Sequence, residues 1–195
     1  MALANILELK AAVADYTVRS DLPINTLIAL AESKFASSVK HRLSEKHVEI
    51  AVARDAASFP LPADFQEGRS LKVNHKPLTL ASIDALNATP GETEQYAIVG
   101  STIRLQSRPA KDLVVALTYY ARVPALTEAT PTNWLLSTFP DVYLYAVLVE
   151  YAIWAQDQEK QASYATLLGV ALGNLAADHA RGSFSGSTLQ TRRFA

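Results

Sequence analysis

Between Asp141 and Asp157 the chain carries one charged residue, Glu150; every residue from Val142 to Val149 and from Tyr151 to Ala155 is apolar or aromatic. A helix that is apolar all round has to be enclosed by other elements, and this one falls short of the roughly 20 apolar residues of a membrane span. Thr138, Phe139, Pro140 and Asp141 read as its start. A hydroxyl cap precedes a carboxylate by three residues, and proline sits in the first turn, where its missing N–H costs nothing. The central buried helix is therefore expected over 139–156, with part of its apolar surface left for a neighbouring subunit to cover. Glu150 within it is a candidate general acid–base if it is buried alone. The alternative is that it faces an arginine, a hydroxyl or a subunit boundary.

Helical spacing recurs on both sides of a β-patterned middle. Leu3 to Val18 reads as one helix and Pro23 to Arg42 as a second, whose last turn gathers Lys40, His41 and Arg42, a charge suited to the helix dipole. A last helix is expected over 158–181, with Gly182 as its C-terminal stop. Between the helical pairs, Val48, Ile50 and Val52 alternate with Glu49, Ala51 and Ala53, as a strand does. Pro60 and Pro62 predict an extended connection. Asn74-His75 and Gly100-Ser101 read as hairpin turns. Leu113–Arg122 is the strongest strand, apolar on both faces, as a strand between other elements would be. The predicted class is α+β: residues 1–45 and 133–181 form one four-helix bundle, 46–132 an inserted β-rich subdomain, and 182–195 an extended tail.

The residues for chemistry are scarce. The chain has no cysteine, which excludes disulfides and thiolate sites. His41, His47, His75 and His179 show no metal-ligand spacing and read as solvated side chains. No phosphate-cradling glycine loop is present, and Gly182-Ser183-Phe184-Ser185-Gly186 puts Phe184 where a nucleophile elbow needs serine. No catalytic residue, metal or cofactor is expected. The start of the chain lacks a basic leader pattern, so synthesis in a cytoplasm is expected. Residues 1–180 hold 15 Lys and Arg against 19 Asp and Glu, whereas 181–195 hold three arginines and no acid. A duplex-binding body would show a basic excess. The tail, basic and dotted with Phe184, Leu189 and Phe194, suits an arm that orders on a partner.

Several short motifs in collinear order carry a resemblance. They are Ile28-Ala-Leu-Ala-Glu32, Leu61-Pro-Ala-Asp-Phe65, Leu117-Thr-Tyr-Tyr-Ala-Arg-Val-Pro-Ala-Leu126, Pro131-Thr-Asn-Trp-Leu-Leu136, Phe139-Pro-Asp-Val-Tyr-Leu-Tyr145 and the closing Ser185-Gly-Ser187. Together they resemble the head-to-tail adaptor, or connector, proteins of tailed bacteriophages. The resemblance implies a structural virion protein without enzymatic activity, in the neck between the capsid portal and the tail. It implies a ring, commonly of twelve copies, that binds the portal protein and a tail nozzle or tube protein. Genomic DNA would pass through the centre without sequence-specific binding, and no membrane would be involved. The partner-binding role it implies for the tail falls on Arg181, Phe184, Leu189, Arg192 and Arg193. The rival readings are a tail-tube or nozzle subunit, and a monomeric α+β enzyme or ligand-binding domain centred on Glu150.

Overall fold

The computed structural model describes residues 3–88 and 94–184. The protein is α+β, with six α-helices and a seven-stranded sheet among the described residues. In chain order the elements are α1 Ile6–Thr17, α2 Ile24–Ser38, a 3-10 turn Arg42–Ser44, β1 Glu45–Val52, β2 Ser58–Pro60, β3 Phe65–Val73, β4 Lys76–Leu80, α3 Ile83–Ala88, β5 Gln95–Val99, β6 Thr102–Leu105, β7 Leu113–Ala121, α4 Trp134–Thr138, α5 Pro140–Trp154 and α6 Gln158–Phe184. They fall into two compact units: residues 1–44 with 123–195, and residues 45–122.

The helical unit is arranged around α5, against which α1, α2, α4 and α6 all pack. Every residue of α5 from Val142 to Ala152 is buried or half-buried within the single chain. The chain's own helices thus cover the surface expected to need a neighbour. Only Ile153 and Trp154, 44% and 43% exposed, protrude at the helix end. Each large side chain fully buried here is worth roughly 1.5–3 kcal/mol, so α5 anchors the unit.

Three helix boundaries differ from the sequence expectation, each for a local reason. The expected cap Thr138 is instead the last residue of α4. The cap of α5 is Phe139, which makes no side-chain bond, and Pro140 enters the first turn as expected. The second helix stops at Ser38 rather than Arg42, with Val39 extended. The hydroxyls of Ser37 and Ser38 bond back to the Lys34 carbonyl, a local competition with the helix ladder. Lys40, His41 and Arg42 therefore lie beyond the helix. The last helix runs through Gly182 to Phe184 instead of stopping there. Gly182 serves packing: a Cβ on it would collide with Nε and Cδ of Arg42.

The second unit is a sheet of order β1-β7-β3-β4-β5-β6-β2. All its pairs are antiparallel except β4 with β5. Its core is built from alternating residues such as Leu71, Ile103, Val115, Leu117 and Tyr119. β7 lies between β1 and β3 in the plane of the sheet, while its second face stays partly open, with Val114 51% exposed. Asn74 and His75 both take positive φ, 48° and 65°, the signature of a type I′ hairpin turn. Gly100 alone is positive, at 59°, in the second hairpin, where no side chain has to pay the steric cost of that conformation. Pro77 pairs with Lys72, one position from the turn-flanking pair Val73 and Lys76. This is a non-hydrogen-bonded position, where proline's missing N–H leaves the ladder intact. Pro60 closes β2 at the margin of the sheet, where proline is tolerated.

Candidate functional site

Three polar clusters hold the helical unit together. The first centres on Glu32 of α2. Its Oε1 accepts the backbone N–H of Leu126 at 2.8 Å and the hydroxyl of Tyr143 at 3.0 Å. Asn133 completes the network. Its amide donates to the Tyr143 oxygen and the Pro124 carbonyl, each at 2.7 Å, while its Oδ1 caps α4 through the Leu136 N–H at 2.9 Å. The segment 124–133 is thereby tied to both α2 and α5. Burial pushes the Glu32 carboxyl above its ordinary value, against the two hydrogen bonds it accepts. Burial likewise holds the Tyr143 hydroxyl protonated far above the usual phenol range.

The second cluster lies at the C-terminal end of α6. His41, expected to be solvated, is 0% exposed. Its ring stacks on Trp134 and meets the edge of Phe139, with centroids 5.5 and 5.3 Å away. Nε2 faces Asp178 Oδ2 at 3.0 Å, and Nδ1 accepts the Leu43 N–H at 3.2 Å. This pair of contacts sets the tautomer, with the proton on Nε2. Arg42 donates to the same Asp178 oxygen at 3.0 Å, and its backbone N–H donates to Nδ1 of His179 at 3.1 Å. The final turns of α6 are thus clasped by the 41–43 segment, with the Arg42 stem lying over Gly182. Sequence reading missed this cluster, because its members stand 137 positions apart. The one local signal was a glycine near a helix end.

Burial drives the His41 imidazole below its ordinary value, outweighing the attraction of Asp178. For Asp178 the balance goes the other way. Burial would raise its carboxyl, but the bonds from Arg42 and His41 hold it below the carboxylate range. For His41, the unfolded chain binds a proton more readily than the folded one. Its contribution is fully present above the unfolded value of about 6.5 and is lost as pH falls through the folded value. Asp178 adds a second loss at lower pH, as acidification passes through its own folded value. Stability should therefore decline from about pH 6.5 downward, and NMR should find the His41 ring titrating below about 6.5. A His41 resonance that titrates above that value would contradict the buried neutral assignment.

The third cluster is Glu150, only 6% exposed and paired with Lys34, itself 58% exposed. Glu150 is not alone, and the cavity beside it is small, about 60 Å³. It is lined mainly by Ala31, Phe35, Ala146, Val149, Leu168 and Leu172. Substrate sites run to roughly 300–1,000 Å³ with several convergent polar groups, so the closed polar pocket required by an enzyme centred on Glu150 is missing here. Among the described residues no group of three or more metal-ligating side chains converges, and no helix is long and apolar enough to cross a membrane. In the sheet unit, Tyr119 donates to Asp64 Oδ1 at 2.8 Å, and burial together with that carboxylate pushes its hydroxyl up to about 12. Lys46 pairs with the other oxygen of Asp64 at 2.5 Å.

Of the tail residues expected to bind a partner, the structure describes two. Arg181 is exposed on the last turn of α6 and Phe184 ends that helix. Leu189, Arg192 and Arg193 lie outside the described residues.

The fold and its clusters define an α+β protein whose buried polar groups brace one element against another. The model of the SU10 adaptor protein family matches residues 4–192, and the chain belongs to that family of phage head-to-tail adaptors. A comparison with curated proteins finds no match.

Proposed function

We propose that this protein assembles into a ring, of the twelvefold symmetry its resemblance implies, that bridges the portal to the tail and forms part of the channel for the genome. The observation that carries the proposal is the family match over nearly the whole chain. The physical character of the molecule is in keeping with it. The polar side chains of the helical unit are spent on bracing. Its helices serve as a four-helix bundle, with α4 as an accessory turn. On α6 the run from Gln161 to Ala177 has no charged residue, yet Leu167 and Val170 are 42% and 61% exposed. That face is the surface we assign to the neighbouring copy. The near-neutral body lets DNA slide. The tail acts after folding: Arg181, Phe184, Leu189, Arg192 and Arg193 reach the portal, and a tail nozzle or tube protein takes the opposite side. The working location is the virion neck, and the role is structural rather than enzymatic.

The test is mass by light scattering, on the protein alone and then mixed with portal rings, for the full chain and for a chain ending at residue 184. The cut is placed there because Gly182 is part of the packed helix. The full chain should form a stoichiometric complex with portal rings, and the shortened chain should keep its fold and dock more weakly. A full chain that stays monomeric with portal present would overturn the reading.

A further inference from the structure

We propose that the hairpin end of the sheet unit around Asn74 is a phosphate-binding surface that contacts the backbone of the DNA in the channel. The inference rests on the channel reading above for its ligand, and on the sheet unit for its site. Three adjoining hollows, of about 380, 580 and 540 Å³, all have Asn74 in their walls. Lys72 lines the first, Lys111 the second, and Lys76 and Arg108 the third. The acids in these walls are Glu49 and Asp112.

The local ion pairs leave an excess of positive charge. Lys76 is matched by Glu94 at 2.7 Å and Arg54 by Asp55 at 3.4 Å, while the Asp112 carboxylate accepts only the neutral backbone N–H of Arg54 at 2.7 Å and, with exposed Glu49, stands against the remaining cations as one of two acids. Lys72, Arg108 and Lys111 are exposed and make no ion pair among the described residues. His75 occupies a left-handed turn position, φ 65°, that glycine would fill without strain. It is exposed, so no core packing accounts for it, and it places an imidazole donor among the cations.

Phosphate fits this surface better than a protein partner does. Protein contacts centre on buried aromatic or aliphatic anchors, and the only large exposed apolar side chain in the three walls is Val114. The cations are instead spread around open hollows, as contacts to a nucleic-acid backbone are. Three unmatched cations per copy also give weak binding, which suits a genome that has to move. Neutralising about three phosphates predicts a log–log salt slope near −2.7, a loss of about 40-fold between 50 and 200 mM salt.

The experiment is fluorescence anisotropy with a short labelled DNA duplex, starting at low salt, on the full chain. The variants are the triple reversal K72E/R108E/K111E, the milder triple change of the same residues to glutamine, Arg122→Glu at the opposite end of β7, and the chain ending at 184. Portal docking by light scattering runs in parallel. The expected result is the salt slope above and at least a tenfold loss for both triple variants. Arg122→Glu and the shortened chain should stay within about twofold of the full chain, because they remove no contact of this surface. Portal docking should be unchanged in all but the shortened chain, which should dock more weakly. Absent DNA binding by a full chain that docks normally overturns this inference alone. Binding that survives the triple reversal, or vanishes with the tail, overturns it as well. So does polyglutamate binding as tightly as DNA, which would assign the surface to an acidic protein segment. Failed docking by the full chain with DNA binding intact counts against the ring reading and leaves the phosphate surface standing.

Discussion

Asn133→Ala should destabilise the helical unit by about 2–3 kcal/mol, more than most single side-chain truncations. Loss of the α4 cap accounts for about 1 kcal/mol. The remainder comes from the two donated hydrogen bonds, at roughly 0.5–1.5 kcal/mol each. The bond to the Pro124 carbonyl closes the segment 124–133 on itself, and the bond to the Tyr143 hydroxyl holds it against α5 and, through Tyr143, Glu32 of α2. The measurement is urea unfolding followed by tryptophan fluorescence. Both tryptophans, Trp134 and Trp154, belong to the helical unit, so the signal reports that unit and not the sheet. Tyr143→Phe removes the hydroxyl between Asn133 and Glu32 and should cost about 1–2 kcal/mol. The double variant should cost less than the sum of the two, because the side chains share a bond. Strict additivity, or a loss below about 0.5 kcal/mol for Asn133→Ala, would mean that the network carries little of the brace.

How far the fold was legible in the sequence depended on how local its cause was. The central helix is written in an apolar run broken only by Glu150, and its enclosure follows from the absence of a polar side to turn outward. The turns at Asn74-His75 and Gly100-Ser101 came through because positive φ is a demand on the residue itself. The two apolar faces of β7 predicted cover on both sides, but one face stays partly open, with Val114 51% exposed, and the strand's inner place comes from its pairing with β1 and β3. What failed were the features fixed by distant partners. Nothing near His41 marks it for burial; Asp178, on the far side of the chain, completes its site. Gly182 looked like a stop because glycine often is one, but the side chain it makes room for belongs to Arg42.

The candidate sites divide in the same way. Glu150 stood out as a lone charge in an apolar run, and the structure keeps it buried, but its partner Lys34 comes from another helix, 116 positions earlier. The brace at Asn133 was visible only as part of a family-like motif, with no physical signal of its own. The cations around Asn74 were scattered over 72–111 and gathered by the sheet, so no window of sequence holds them together. Conversely, the tail was the clearest compositional feature, and its outer residues lie beyond what the structure describes.

The pair Lys34–Glu150 should respond asymmetrically to removal of its two ends. Lys34→Ala leaves a carboxylate that is 6% exposed without its cation. Breaking a fully buried pair in this way costs about 3–5 kcal/mol. Lys34 is more than half exposed, so water already shares the charge, and the expected loss is about 1–2 kcal/mol. Glu150→Leu removes the charge that needs compensation and places apolar volume beside Phe35, Leu168 and Leu172. It should be neutral or stabilising by about 1 kcal/mol. In the double variant, the leucine should cancel the cost of losing the lysine. The same fluorescence-detected unfolding decides the matter, and portal docking should be unchanged in all three proteins. If Glu150→Leu instead cost about 2 kcal/mol or more while Lys34→Ala cost nothing, the carboxylate would be held by bonds other than this pair. The carboxylate would then have a role of its own, and the rival reading of Glu150 as the centre of a site would regain its footing.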